Sequence, residues 1–167
     1  EYQWSIIAKH PYITASYLWN MFDFAVPTSK RGSVDARNMK GMMTFDRKIK
    51  KDSYFWYKAN WSKEPVLYMT QRRNVLRERK ETSVTVYSNI GTPKVYLNDR
   101  ELSGIRKGYT DVHYVFDKVL LNDGKNVLRA VVTWQGREYV DEMEWEYRGE
   151  CNREADFFEH KKEHGSW

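Results

Sequence analysis

The chain has 167 residues, 28 Lys/Arg against 23 Asp/Glu for a formal charge of +5, and an aromatic content of 16%. That length holds one hydrophobic core, or a domain of about 100 residues with an attachment, and falls short of the roughly 250 residues of a complete eight-stranded α/β barrel. No run approaches the 18 apolar residues of a membrane span, and a single cysteine, Cys151, excludes an intrachain disulfide. No Cys/His spacing suits a tetrahedral zinc centre, so neither membrane, metal nor other cofactor is expected.

The opening Glu1-Tyr2-Gln3-Trp4 carries no initiator Met and no signal-like core, and is expected to continue a longer polypeptide. The compartment stays open, with periplasmic or secreted settings preferred over the cytoplasm. The charge is uneven: between Lys30 and Lys80 there are 15 Lys/Arg and 5 Asp/Glu. These cations are scattered through a loop, a helix and a strand connection instead of lining one face, which argues against a nucleic-acid footprint.

In chain order, Tyr2 to Lys9 suits a short helix stopped by His10-Pro11. Ile13 to Phe24 is almost continuously apolar and reads as a strand buried on both faces, with Trp19 and Phe22 packed into a larger body. Val26 to Gly41 is polar and reads as a long surface loop. Asp52-Ser53 caps a helix running through Asn60, and Ser62-Lys63-Glu64-Pro65 marks a boundary.

Beyond Pro65 the period becomes two. Strands are expected at Val66–Thr70, Ser83–Ser88, Lys94–Leu97, Val112–Val119, Asn126–Trp134 and Arg137–Tyr147, with Gln135-Gly136 short enough for a tight hairpin. This spacing predicts a mainly β fold, a two-sheet sandwich of immunoglobulin type without the disulfide. Glu150 to Trp167 is a polar tail or linker.

The motifs narrow the function. Tyr17-Leu18-Trp19-Asn20-Met21-Phe22-Asp23-Phe24-Ala25 resembles the last barrel strand of the family 2 glycoside hydrolases, the β-galactosidases and β-glucuronidases. The resemblance continues through Asn38-Met39-Lys40-Gly41-Met42-Met43-Thr44-Phe45-Asp46-Arg47-Lys48 and Lys50 to Ser62, and covers about residues 2 to 149. It implies a remnant of a (β/α)8 barrel over residues 1–62, its last strand and helix, followed by the sandwich over 63–149 and the tail over 150–167.

The resemblance also implies a sugar pocket. Trp19 takes the position of the indole that contacts the pyranose, whose C–H face suits a flat apolar partner. Asn38 and Lys40, two apart, point the same way on an extended backbone and offer donors to hydroxyls or a carboxylate; β-glucuronidases use such an Asn-x-Lys to grip the glucuronate carboxylate, but many β-galactosidase-type relatives carry a similar Asn-Asp-Lys-Gly, so the pair leaves the substrate open. Asp23 is expected behind them, anchoring the loop, with a structural ion pair to Arg37 or Arg47 as its competing role. Asp46-Arg47 reads as structural.

The family's retaining mechanism needs two glutamates about 5 Å apart, and no carboxylate here has their sequence context, so the fragment itself is expected to be inactive. The preferred reading is part of a β-galactosidase, with carbohydrate as the partner and a β-glucuronidase as runner-up. A different class of function, an independent carbohydrate-binding or structural sandwich module, would need an exposed aromatic face, for which Tyr96, Tyr109 and Tyr114 are the candidates.

Overall fold

The computed structural model of the chain describes residues 1–27 and 36–149. The centre of the expected loop and the whole of the expected tail lie outside the described residues. In order, the elements are α1 (Tyr2–Ile7), β1 (Phe24–Ala25), β2 (Arg37–Asn38), α2 (Asp52–Trp61), β3 (Leu67–Met69), β4 (Leu76–Arg77), β5 (Glu81–Ser88), β6 (Lys94–Leu97), β7 (Arg100–Glu101), β8 (Ile105–Lys107), β9 (His113–Leu120), β10 (Gly124–Trp134) and β11 (Arg137–Tyr147). They form two compact units, one made of Glu1–Thr14 with Asp52–Glu150 and one containing Ala15–Lys51.

The first unit is a two-sheet β-sandwich. One sheet has the order β3-β5-β9-β8 and the other β4-β11-β10-β6-β7, all neighbours antiparallel except β4 and β11. The alternation of strand side chains decides which residues enter the core. Along β10, Leu128 and Ala130 are fully buried while Val127 is exposed, and from the opposite sheet Val84, Val86 and Phe116 meet Trp145 and Met143 in the same cluster.

Turn chemistry sets the register. Gln135 and Gly136 both have positive φ, 50° and 75°, the backbone of a type I′ turn whose twist matches that of the flanking strands. It joins β10 to β11 from the pair Trp134↔Arg137 onward. Asn98 and Asp99 repeat the device, with φ of 48° and 65°, between β6 and β7. At one margin Asp141 ties the two sheets together: its carboxylate accepts the Met69 N–H at 2.7 Å and the Arg72 guanidinium at 2.6 and 2.8 Å.

Both helices lie on the β3-β5-β9-β8 sheet of this unit. Trp56 of α2 is 1% exposed, edge-on to the rings of Tyr87 and His113 at 5.2 and 5.3 Å, and Phe55 stacks on Tyr68 at 3.8 Å. Asp52, expected as a helix cap, does something else. Its carboxylate accepts the Tyr68 hydroxyl at 2.7 Å and the Gln71 N–H at 2.8 Å, an ionic hydrogen-bond bridge from helix to sheet that outcompetes a local cap. Asn89 binds the connecting segment, donating to the Ser62 and Glu64 carbonyls and accepting the Val66 N–H.

Two expectations are corrected. Ile13–Phe24 is not a buried strand: only Phe24–Ala25 has strand structure, and Tyr17 and Trp19 are 93% and 73% exposed. Among the described residues only 20–23 have an extended hydrogen-bonding neighbour, residues 41–43, and a strand covered on both faces needs more than that. The proposed aromatic face also fails, because Tyr114 is buried in the core and Tyr96 stands in the other sheet from it.

His113 is buried beneath α1 and α2. Its Nδ1 accepts the Tyr109 N–H at 3.1 Å, which places the neutral ring's proton on Nε2, 3.8 Å from the Glu1 carboxylate. Burial pushes its pKa below the ordinary imidazole value near 6.5, outweighing the attraction of Glu1, and Arg106 acts in the same direction as burial. With the folded pKa depressed, the unfolded chain takes up the proton first, so stability is lost as pH falls from about 6.5 toward the folded value. Urea midpoints followed by tryptophan fluorescence between pH 7.5 and about 5 should fall with acidification, and a His113→Gln variant should flatten that slope; equal slopes in both proteins would contradict this role.

Candidate functional site

The site residues named from the sequence all lie in the unit 15–51. Its scaffold is three short stretches of extended chain. Residues 20–23 run alongside 41–43, with Met42 N–H donating to the Asn20 carbonyl, Met43 N–H to Met21 and Asp23 N–H to Met43, each at 3.0 Å. Residues 49–51 close the other side, through Thr44 N–H to Ile49 at 3.0 Å and Lys51 N–H to Met42 at 2.8 Å. A two-residue ladder pairs Phe24 with Asn38 and Ala25 with Arg37.

Gly41 is required at the crossing. A Cβ there would lie 2.1 Å from the Asp23 nitrogen and 2.2 Å from the Phe22 carbonyl carbon, both backbone atoms that cannot swing aside. Only a residue without a side chain lets the two segments approach this closely.

Trp19 and Asn38 meet through Phe24. The Trp19 ring packs edge-on to Phe24 at 5.9 Å, and Phe24 is the residue directly opposed to Asn38 in the ladder, where paired residues share a face. Trp19 itself is largely exposed, and its peptide bond to Asn20 is cis.

Asn38 and Lys40 are not the extended pair expected from their spacing. The Asn38 side-chain oxygen accepts the Lys40 N–H at 3.0 Å, an Asx-type turn that an Asn makes with its own backbone two residues on. One lone pair of the amide oxygen is thereby engaged. What the pair presents outward is an amide NH2 and an exposed ammonium, and among the described residues no acceptor is bonded to either.

Asp23 anchors this loop, and with a partner the sequence did not suggest. Its carboxylate, 4% exposed, accepts the Gly41 N–H at 2.9 Å and the Lys51 ammonium at 2.6 Å. The two arginines expected as partners are elsewhere: Arg37 lies over the Phe45 ring and Arg47 over the Phe22 ring, each at 4.6 Å. Asp46 is bonded locally, without the arginine that the sequence suggested. The Thr44 hydroxyl donates to it at 2.5 Å and the Lys48 N–H at 3.2 Å, and these bonds hold its carboxyl below the usual range, the hydroxyl contributing most.

No family model matches the chain. It is 35% identical over 147 residues to a β-glucuronidase of Bacteroides fragilis, covering 87% of this chain and 21% of that one. The solved structure of a provisionally assigned β-galactosidase, also from Bacteroides fragilis, superposes with a TM-score of 0.89 at 77% identity over 92% of this chain and 23% of the other. The chain is homologous to part of the glycoside hydrolases of β-galactosidase and β-glucuronidase type. A further member of that type, described as an FMN-binding β-glucuronidase from Facaelibacterium prausnitzii L2-6, aligns at 37% identity with a TM-score of 0.73, over 87% of this chain and 22% of its own. The chain thus spans about a fifth of the length of the glycosidases that it matches.

Among the described residues no group of three His, Cys, Asp or Glu side chains stands ready for a metal ion, and no helix is long and apolar enough to cross a membrane. Sequence reasoning missed Lys51, whose charge is lost to inspection in the run Lys48-Ile49-Lys50-Lys51. Nothing in a string of lysines says which one turns inward.

The close approach at Gly41 has a direct consequence. In a Gly41→Ala variant the pairing of 20–23 with 41–43 should open, and amide exchange at Asp23 and Met43, read by NMR, should quicken by about tenfold or more; unchanged protection would show that the backbone can accommodate the methyl group.

Proposed function

We propose that the chain is the C-terminal part of a retaining β-glucuronidase, and that Asn38 and Lys40 receive the carboxylate of the sugar while Trp19 lies against its ring. The observation that carries this reading is the turn at Asn38. With one lone pair of its oxygen taken by the Lys40 N–H, the pair turns mainly donors outward, an amide NH2 and a cation. A carboxylate is an acceptor at every lone pair, whereas the hydroxymethyl group of a galactoside both donates and accepts. The charge adds strength, because ionic hydrogen bonds are about twice as strong as neutral ones.

This choice reverses the order of the two substrates expected from the sequence. The names of the relatives support it: the one at 35% identity is a β-glucuronidase, as is one at 37%. A β-galactosidase remains the second reading, favoured by the description of the structure at 77% identity.

The architecture fits the same proposal. Strand orders β3-β5-β9-β8 and β4-β11-β10-β6-β7 correspond to the two sheets of an immunoglobulin-type domain, and we place the barrel remnant in residues 1–62. An apolar stretch that exposes Tyr17 and Trp19 is what the last barrel strand would look like without its neighbours. The acid/base and nucleophile would then be glutamates of the barrel, outside these 167 residues.

In the intact hydrolase, Lys40→Ala should reduce kcat/KM on an aryl β-glucuronide by about 30-fold or more, the loss of one charge-assisted hydrogen bond worth roughly 2 kcal/mol or more. Turnover of the matching β-galactoside should change less than about twofold. A galactoside that remains the better substrate in the wild type, or an equal loss on both, would favour the second reading.

A further inference from the structure

Lys40 is useful to a uronate only if its side chain leaves the backbone in a fixed direction. That direction is set by the two peptide planes meeting at its Cα. The plane joining Met39 to Lys40 is held at both ends, its N–H by the Asn38 oxygen at 3.0 Å and its carbonyl by the Lys51 ammonium at 3.0 Å. The plane joining Lys40 to Gly41 is held at its N–H by the Asp23 carboxylate at 2.9 Å. Lys51 and Asp23 are themselves joined at 2.6 Å, and both side chains are largely out of solvent, 16% and 4% exposed.

We infer that the buried Lys51–Asp23 pair is a positioning device for Lys40, fixing both peptides that flank it and thereby the specificity of the site for an anionic sugar; this rests on the uronide reading above. One cation serves two ends of the device. It neutralises Asp23, which lets a carboxylate stay buried under Gly41, and it grips the Met39 carbonyl, which stops the turn from rotating. Both act through the backbone of the turn and not on the sugar itself. A buried ion pair is poor evidence of stabilisation for its own sake, and here each partner spends its remaining hydrogen-bonding capacity on the backbone beside one particular lysine. Misplacing a binding group by about 1 Å is enough to cost about 100-fold in rate.

The test is a set of variants of the intact hydrolase, assayed on an aryl β-glucuronide and the matching β-galactoside. Lys51→Met should raise KM for the glucuronide by about tenfold or more, with kcat and the galactoside changed less than about twofold. Lys51→Arg, which keeps the charge beside Asp23, should recover most of the loss. Because Lys51→Met leaves Asp23 buried without a counter-ion, an Asp23→Asn/Lys51→Met double variant removes both charges and guards against misfolding; it should show the same selective loss. In a Lys40→Ala background Lys51→Met should add nothing, since the group being positioned is gone.

Equal changes on both substrates, no change on either, or full additivity with Lys40→Ala would overturn the inference while leaving the uronide reading intact. If Lys40→Ala proves unselective, the uronide reading fails instead. Amide exchange in the 167-residue chain then judges the device alone: Lys51→Met should speed exchange at Lys40 and Gly41 by about tenfold, and unchanged rates would overturn it.

Discussion

A carboxylate buried as deeply as that of Asp23 has to be met by donors, and those it recruits organise the whole unit around the candidate site. One is the ammonium of Lys51, 28 residues later, and the other is the N–H of Gly41. Together they hold the turn 38–41 against residues 20–23, a contact so close that a glycine is the only residue with room for it. The Asx-type turn, the outward amide and the outward ammonium all follow from that arrangement. Leaving either charge unpaired in such a place costs several kcal/mol, so the two are best regarded as one group.

The sandwich obeys a different constraint, apolar alternation on two facing sheets. It has a complete core of its own, and its turns carry residues able to adopt positive φ. On the β3-β5-β9-β8 sheet the helices add a second cluster built on Trp56, Tyr68 and Tyr87. There the polar links are made between helix and sheet, as with Asp52 and Tyr68, and burial together with that carboxylate pushes the Tyr68 phenol above its ordinary range.

The parts legible in the sequence are those governed by local rules. Alternation at Val84 and Val86 and along Val127 to Trp134 marked long strands, and Gln135-Gly136 marked a hairpin, because both signals lie within a few residues of what they control. Strands β4, β7 and β8 have two or three residues, too few to carry a period. The run Ile13–Phe24 was read as a strand, and only Phe24–Ala25 has that structure: continuous apolarity says that a segment seeks cover, not which backbone it adopts where little cover is present. At the site, the residue types of Trp19, Asn38 and Lys40 were readable, but the engagement of the Asn38 oxygen and the inward turn of Lys51 are products of tertiary structure. They are the features on which the glucuronide proposal rests.

In the proposed glucuronidase, Lys40 and Asn38 face a sugar carboxylate. A crystal structure of the intact hydrolase with bound glucuronate tests it most directly. The carboxylate should lie within about 2.7–3.2 Å of the Lys40 ammonium and the Asn38 amide nitrogen, with Trp19 against the ring and Lys51 still on the Met39 carbonyl. A carboxylate held by other residues, with Lys40 turned to solvent, would contradict it.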